Sequence, residues 1–172
     1  GLTSPATAKP IRLQNRILDP DAPAARKSSP AGAGANLSGL QNVNTAAKDG
    51  RAPFWVQFSE PISDETRARL SSIGAVAAGY VPEDALLVLV NPDQLASLSQ
   101  WAEVRWVGEV QAGDKLSAAL VQPATSKKAS AEASVVISVL RPDYVPAVAD
   151  AVAQAGGTVE SQGTGKRWGT VR

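Results

Sequence analysis

The chain has 172 residues, room for one ordinary domain or two small ones, and its 44% hydrophobic content allows part of it to bury a core. Seventeen basic side chains against 16 acidic ones leave a net charge of +1, which gives no general pull toward nucleic acid or an anionic membrane, and no stretch approaches the roughly 20 apolar residues of a membrane-spanning helix. With no His, Cys or Met, the chain lacks the commonest general base and metal ligand near neutral pH, and every thiolate, disulfide and zinc-knuckle chemistry.

Residues 1–52 are rich in Ala, Pro, Ser, Gly and Asn. Pro20-Asp21-Ala22-Pro23 and Ser28 to Gly34 lack periodicity and read as loop. The exception is Ile11 to Leu18, whose first half alternates apolar and polar, and which predicts a short strand added at a sheet edge. From Pro53 the texture changes. Phe54-Trp55-Val56-Gln57-Phe58 predicts a strand. Ser63 is the expected N-cap of a helix to about Ser72, with Asp64 and Glu65 in its first turn, Thr66, Leu70 and Ile73 on one face, and Gly74 as its stop. Val76 to Val81 and Ala85 to Val90 predict two more strands around Pro82-Glu83-Asp84. Asn91 and Pro92 open a second helix with Leu95, Leu98 and Trp101 as its buried stripe. Val104 to Val110 closes the unit. The order βαββαβ over 53–111 predicts an α+β fold of the ferredoxin-like, split βαβ kind.

Residues 112–133 read as a linker of Ala, Ser, Lys, Gln and Pro, and then the pattern restarts over 134–172. Ser134 to Leu140 is an expected strand, Asp143 to Ala155 a helix stopped by Gly156-Gly157, Thr158 to Gln162 a strand, and Arg167 to Arg172 the start of another. A shift of 83 residues lays Gly74-Ala75-Val76 on Gly157-Thr158-Val159, an internal repeat. The second copy reads as a partial βαββ unit that a continuation of the chain or a partner would complete.

Ala85 to Val90 is apolar at every position, whereas a half-exposed antiparallel strand alternates. Something therefore covers both faces of this sheet: helices on one side, and on the other the second repeat, the N-terminal strand or a partner domain. Trp55, Leu87, Leu89 and Trp106 are the candidate partner-interface residues. Hiding three or four such side chains contributes several kcal/mol at about 25 cal/mol per Å².

Chemical motifs are few. Gly163-Thr164-Gly165-Lys166 echoes a phosphate-binding loop but lies between two predicted strands, so a hairpin turn is the better reading. Ala31 to Ala35 holds a lone Gly-x-Gly in a loop. Base stacking on Trp55 and Trp106 is disfavoured by an aliphatic third strand. Ser126-Lys127-Lys128 puts a serine beside a lysine, yet a linker does not desolvate that lysine, so its pKa stays high. Asn36-Leu37-Ser38 fits a glycosylation sequon. No catalytic, cofactor or metal site is expected.

The run Val56-Gln57-Phe58, Pro61-Ile62, Leu70, Gly74-Ala75, Gly79-Tyr80-Val81-Pro82 and Val104-Arg105-Trp106-Val107-Gly108 resembles the N-terminal region of large bacterial subtilisin-like proteases. Ile11-Arg12-Leu13, Asp19-Pro20 and Lys115-Leu116-Ser117 extend the likeness over most of 10–120. In that family, tandem ferredoxin-like pro-units precede the catalytic domain. The resemblance implies a secreted bacterial pro-segment, extracellular or periplasmic, that is not itself an enzyme and acts as chaperone and inhibitor. It would pack its open sheet face on the protease, or on the remainder of the same precursor, and thread an extended tail through the substrate cleft. Arg172 would then be a processing end, and Gly1 fits a processed N-terminus. The alternative is an extracellular structural module, completed by a strand from a neighbouring chain, with self-association as its signature.

Overall fold

In the computed structural model, residues 9–14, 16–21, 49–117, 120, 134–166 and 168–172 are described. The chain is α+β and divides into two compact units, 1–123 and 124–172, with the division inside the expected linker. The loop at 28–34, Asn36-Leu37-Ser38 and Ser126-Lys127-Lys128 lie outside the described residues.

The first unit opens with two short strands, β1 (Ile11–Arg12) and β2 (Ile17–Leu18), followed by β3 (Ala52–Phe58), α1 (Asp64–Ser72), β4 (Val76–Val81) and β5 (Ala85–Val90). A 3₁₀ turn at Pro92–Gln94 leads into α2 (Leu95–Ser99), and β6 (Val104–Glu109) and a second 3₁₀ turn at Ala112–Lys115 complete it. β3 to β6 form one antiparallel sheet in the order β4-β5-β3-β6, so each helix links two strands that flank a third. The expected βαββαβ succession is present, with α2 shorter than the predicted helix because Pro92 opens it as a 3₁₀ turn.

Local chemistry explains the elements. Ser63 Oγ accepts from the Thr66 amide and caps α1. The helix ends in a Schellman motif: Gly74 takes φ 72° and its amide donates to the Ser71 carbonyl, while the Ala75 amide reaches back to Leu70. Phe54, Val56, Phe58, Leu86, Val88 and Val90 meet Leu70, Leu95, Leu98 and Trp101 in the helix-side core. The Arg69 guanidinium stacks 4.1 Å from the Trp101 ring centroid and pairs with Glu103 at the margin of that core.

The second unit holds β7 (Ile137–Val139), a 3₁₀ turn at Pro142–Tyr144, α3 (Val145–Gln154), β8 (Gln162–Thr164) and β9 (Gly169–Val171). Its antiparallel sheet runs β7-β9-β8. α3 ends in the same Schellman motif as α1, with Gly156 at φ 85°, Gly156 donating to Ala153 and Gly157 to Val152. At this cap the repeat falls on 82 residues, since Gly156 rather than Gly157 answers Gly74. The strand expected over 158–162 begins later. Before it, the Glu160 and Ser161 amides both converge on the Arg172 carbonyl, so regular pairing with β9 starts only at Gln162. Gly163 to Lys166 lies at the β8–β9 connection, where the Gly165 amide donates to the Trp168 carbonyl at 2.7 Å.

Candidate functional site

The face of the first sheet that points away from its helices is occupied by the chain's own β1–β2 hairpin. The two strands pair only with each other, Ile11 opposite Leu18, in a separate two-stranded sheet. The predicted N-terminal strand therefore lies across a sheet face rather than extending an edge. The Leu13 amide donates to the Arg16 carbonyl at 2.9 Å and closes the turn. Alternation sends Ile11, Leu13 and Leu18 against Trp55, Ala85, Leu87 and Trp106, while Arg12 and Ile17 face out. β5 is apolar throughout because it is buried on both faces, Leu86, Val88 and Val90 under the helices and Ala85 and Leu87 under the hairpin.

Side chains, not a strand ladder, hold the hairpin down. Lys9 Nζ meets Asp84 Oδ2 at 2.9 Å beside the β4–β5 turn. Asp21 pairs with Arg105 on β6. Between them, Arg16 grips Asp114 with two parallel bonds, Nε to Oδ1 at 2.5 Å and Nη2 to Oδ2 at 2.7 Å. The Asp114 carboxylate is buried, its side chain 1% exposed, and it also accepts from the Trp55 indole Nε1 and the Gln111 amide. Burial alone would raise its pKa. The bonds from Arg16, Trp55 and Gln111 outweigh that and hold the carboxyl below its ordinary value.

Gln57 sits fully buried on the same face, and its Nε2 donates to two carbonyls, Lys9 at 2.8 Å and Glu83 at 2.9 Å. The Glu83 carbonyl belongs to a turn in which Glu83 and Asp84 take φ 70° and 56°, a left-handed conformation costly for non-glycine residues. Three fixed bonds hold that turn in place: Gln57 to Glu83, Phe58 N–H to the Asp84 carbonyl, and Lys9 to the Asp84 carboxylate. Gln57 Oε1 and Trp106 Nε1 are buried without a protein partner, and the two residues are cross-strand neighbours. The Trp106 indole lies over Gly108, where a Cβ would come within 2.0 Å of Cη2.

Of the residues predicted to meet a partner, Trp55, Leu89 and Trp106 are buried and Leu87 is partly buried. Trp55, Leu87 and Trp106 pack in the hairpin-covered cluster. Arg172, the expected processing end, is 57% exposed at its side chain, pairs with Glu160, and joins the sheet margin through its amide bond to the Ser161 carbonyl. The three interlocking ion pairs span 75 to 98 residues of sequence, so no local pattern announces them.

In the second unit, the residues of the sheet that point away from α3 are exposed. Alternation along β7 and β9 turns Val139 and Val171 toward α3. On the other side it leaves Ser138 and Thr170, while Val136, 62% exposed, and Trp168, 50% exposed, flank the two strands at opposite ends of their pairing. Among the described residues there is no group of three His, Cys, Asp or Glu side chains placed to hold a metal, and no helix long and apolar enough to cross a membrane.

A family model described as a domain of unknown function (DUF8729) matches residues 12–111. That span joins the hairpin to the four-stranded sheet it covers. No curated protein and no solved structure matches the chain.

Proposed function

The chain belongs to the DUF8729 family, a domain of unknown function, and we propose that it is a non-catalytic pro-segment of a secreted bacterial subtilisin-like serine protease, a chaperone and inhibitor of the domain it accompanies. The observation that carries this reading is the contrast between the two sheets. The apolar face of the first is sealed by its own hairpin, while the strands of the second are flanked by exposed Val136 and Trp168. An exposed tryptophan and valine beside a small sheet suit a protein partner. Docking through the second sheet leaves the first as a prefolded support. It shifts the contact from Trp55, Leu87, Leu89 and Trp106 to Val136 and Trp168.

The test has two steps. The reading frame beyond the Arg172 codon should encode the widely spaced Asp, His and Ser motifs of a subtilisin-like catalytic domain. That domain, purified, should then be inhibited slowly and tightly by the chain added in trans, and the Trp168→Ala variant should weaken inhibition about tenfold or more. A reading frame without those motifs, or a purified pair that does not associate, would sink the proposal.

A second reading, an extracellular assembly module completed by an added strand, is favoured by one particular of the second sheet: β7 has β9 on one side and no neighbour on the other among the described residues.

A further inference from the structure

The β1–β2 hairpin is tied to the first sheet by charge at three separate places, and the signs of those charges form a pattern. The hairpin side contributes Lys9, Arg16 and Asp21. The sheet side answers with Asp84 at the β4–β5 turn, Asp114 in the 3₁₀ turn after β6, and Arg105 on β6. The signs run plus, plus, minus against minus, minus, plus. Exchanging the outer two contacts would set Lys9 against Arg105 and Asp21 against Asp84, like charges in both places. The pattern thus favours one seating of the hairpin and opposes its reverse.

These ties are open to dissolved ions. Asp114 is withdrawn from water, but the other five side chains keep 19–42% of their surface exposed. The apolar share of the seal is small: of Ile11, Leu13 and Leu18, Ile11 alone is fully buried. The surface beneath is also prepared for water. Gln57 Oε1 and Trp106 Nε1 are buried without a protein partner, and opening would let water satisfy both. Departure of the hairpin strands little in return. Asp114 keeps its bonds from the Trp55 indole and the Gln111 amide, and Gln57 keeps its bond to the Glu83 carbonyl.

We infer that the hairpin is a charge-held strap that opens as one unit when ionic strength rises, baring Trp55, Trp106 and Gln57 while the four-stranded sheet stays folded. The input is screening, since the Debye length falls from about 10 Å at 0.1 M salt to about 3 Å at 1 M. The output is an aromatic sheet face, sealed at low salt and open at high salt. The backbone permits this, because β3 to β6 pair with one another and the hairpin strands with each other. This inference goes beyond the pro-segment reading and survives its failure.

The test is hydrogen exchange by NMR on the full chain at about 0.05 M and about 1 M sodium chloride. Two probes report the strap: the Leu13 amide, which closes the hairpin turn, and the Trp106 indole N–H beneath it. Three pairs each weakened about twofold by screening multiply to about tenfold, so both probes should exchange about tenfold faster in high salt. The amides of 54–58 and the indole of Trp101, in the helix-side core, should not change. Acceleration shared by 54–58 would mean global unfolding and overturn the strap. Unchanged exchange at Leu13 and Trp106 would overturn the charge latch. A charge swap tests the same point at low salt, and Asp21–Arg105 suits it because Asp114 also serves Trp55 and Gln111. Asp21→Lys and Arg105→Glu should each speed Leu13 exchange about threefold, with 54–58 still protected as the check on folding. The double variant restores an attractive pair of reversed sign and should return to within about twofold of wild type. A double variant as open as the singles would also overturn the proposal.

Discussion

The Arg16–Asp114 pair should be the main fastening of the hairpin, and a double-mutant cycle measures it. Asp114 is 1% exposed at its side chain and Arg16 29%, so the pair lies between two regimes. Exposed ion pairs contribute about 0–1 kcal/mol, whereas removing one partner of a buried pair costs about 3–5 kcal/mol. Arg16→Ala leaves Asp114 its bonds from Trp55 and Gln111, so a loss of about 1–2 kcal/mol is expected. Asp114→Ala strips acceptors from Arg16, Trp55 and Gln111 together and should cost about 3 kcal/mol. The double variant should fall short of the sum by about 1–2 kcal/mol, the coupling of the pair itself. Urea titration followed by tryptophan emission suits the measurement, because the hairpin covers Trp55 and Trp106. A coupling below about 0.5 kcal/mol would place the pair with ordinary surface contacts and refute the reasoning.

Acid should loosen the same fastening. Asp114 has a lowered folded pKa, so its contribution is complete above the unfolded carboxylate value of about 3.9 and is lost as pH falls through the folded value; tryptophan emission should stay flat from about pH 5 to 8 in wild type, and a transition within that window would contradict it. Gly108→Ala brings a Cβ within 2.0 Å of the Trp106 ring and should cost about 1–3 kcal/mol by overpacking, read as a lower urea midpoint. Glu83→Gly relieves a φ of 70° and should be neutral or stabilise by up to about 1 kcal/mol, against the usual sign for a new glycine. Leu98→Ala empties a fully buried site in the helix-side core and should cost about 2–5 kcal/mol in the transition of the first unit.

How far the fold was legible follows from the range of each signal. The Ser63 cap, the Gly74 stop and the buried Leu95 and Leu98 of the second helix are local and stand where the sequence places them, while Trp101 is buried past the end of α2 at Ser99. The apolar run of β5 announced two covered faces, because a strand with one wet face alternates. It could not say what covers the second face. The signals that identify the cover are Lys9, Arg16 and Asp21, isolated charges in and around the expected N-terminal strand whose partners lie 75 to 98 residues away. Asp114 was equally silent, an acid at the start of an expected linker whose first residues, Ala112–Lys115, fold into a 3₁₀ turn, and it becomes the most buried of the ion-paired carboxylates described. The repeat was legible in its order and its strand register. It slipped by one residue at the helix cap because α3 reaches its stop at Gly156, and the second glycine of the pair only completes the Schellman bond.

The manner of docking bears on what the hairpin does. Two strands of two residues each cannot hold a fold by themselves, so the hairpin borrows its order from the sheet beneath. It shares no ladder bond with that sheet, however, and the sheet keeps all its strand pairings if the hairpin lifts away. Among the described residues, the remaining ties are three ion pairs, the Gln57 bond to the Lys9 carbonyl and the contacts of Ile11, Leu13 and Leu18. Opening is then a local step with its own free energy, below that of global unfolding. It would expose Trp55 and Trp106 together, with two orphan polar atoms, Gln57 Oε1 and Trp106 Nε1, already lying at that surface. Closure buries those atoms without a protein partner, which weakens the seal relative to a wholly apolar one.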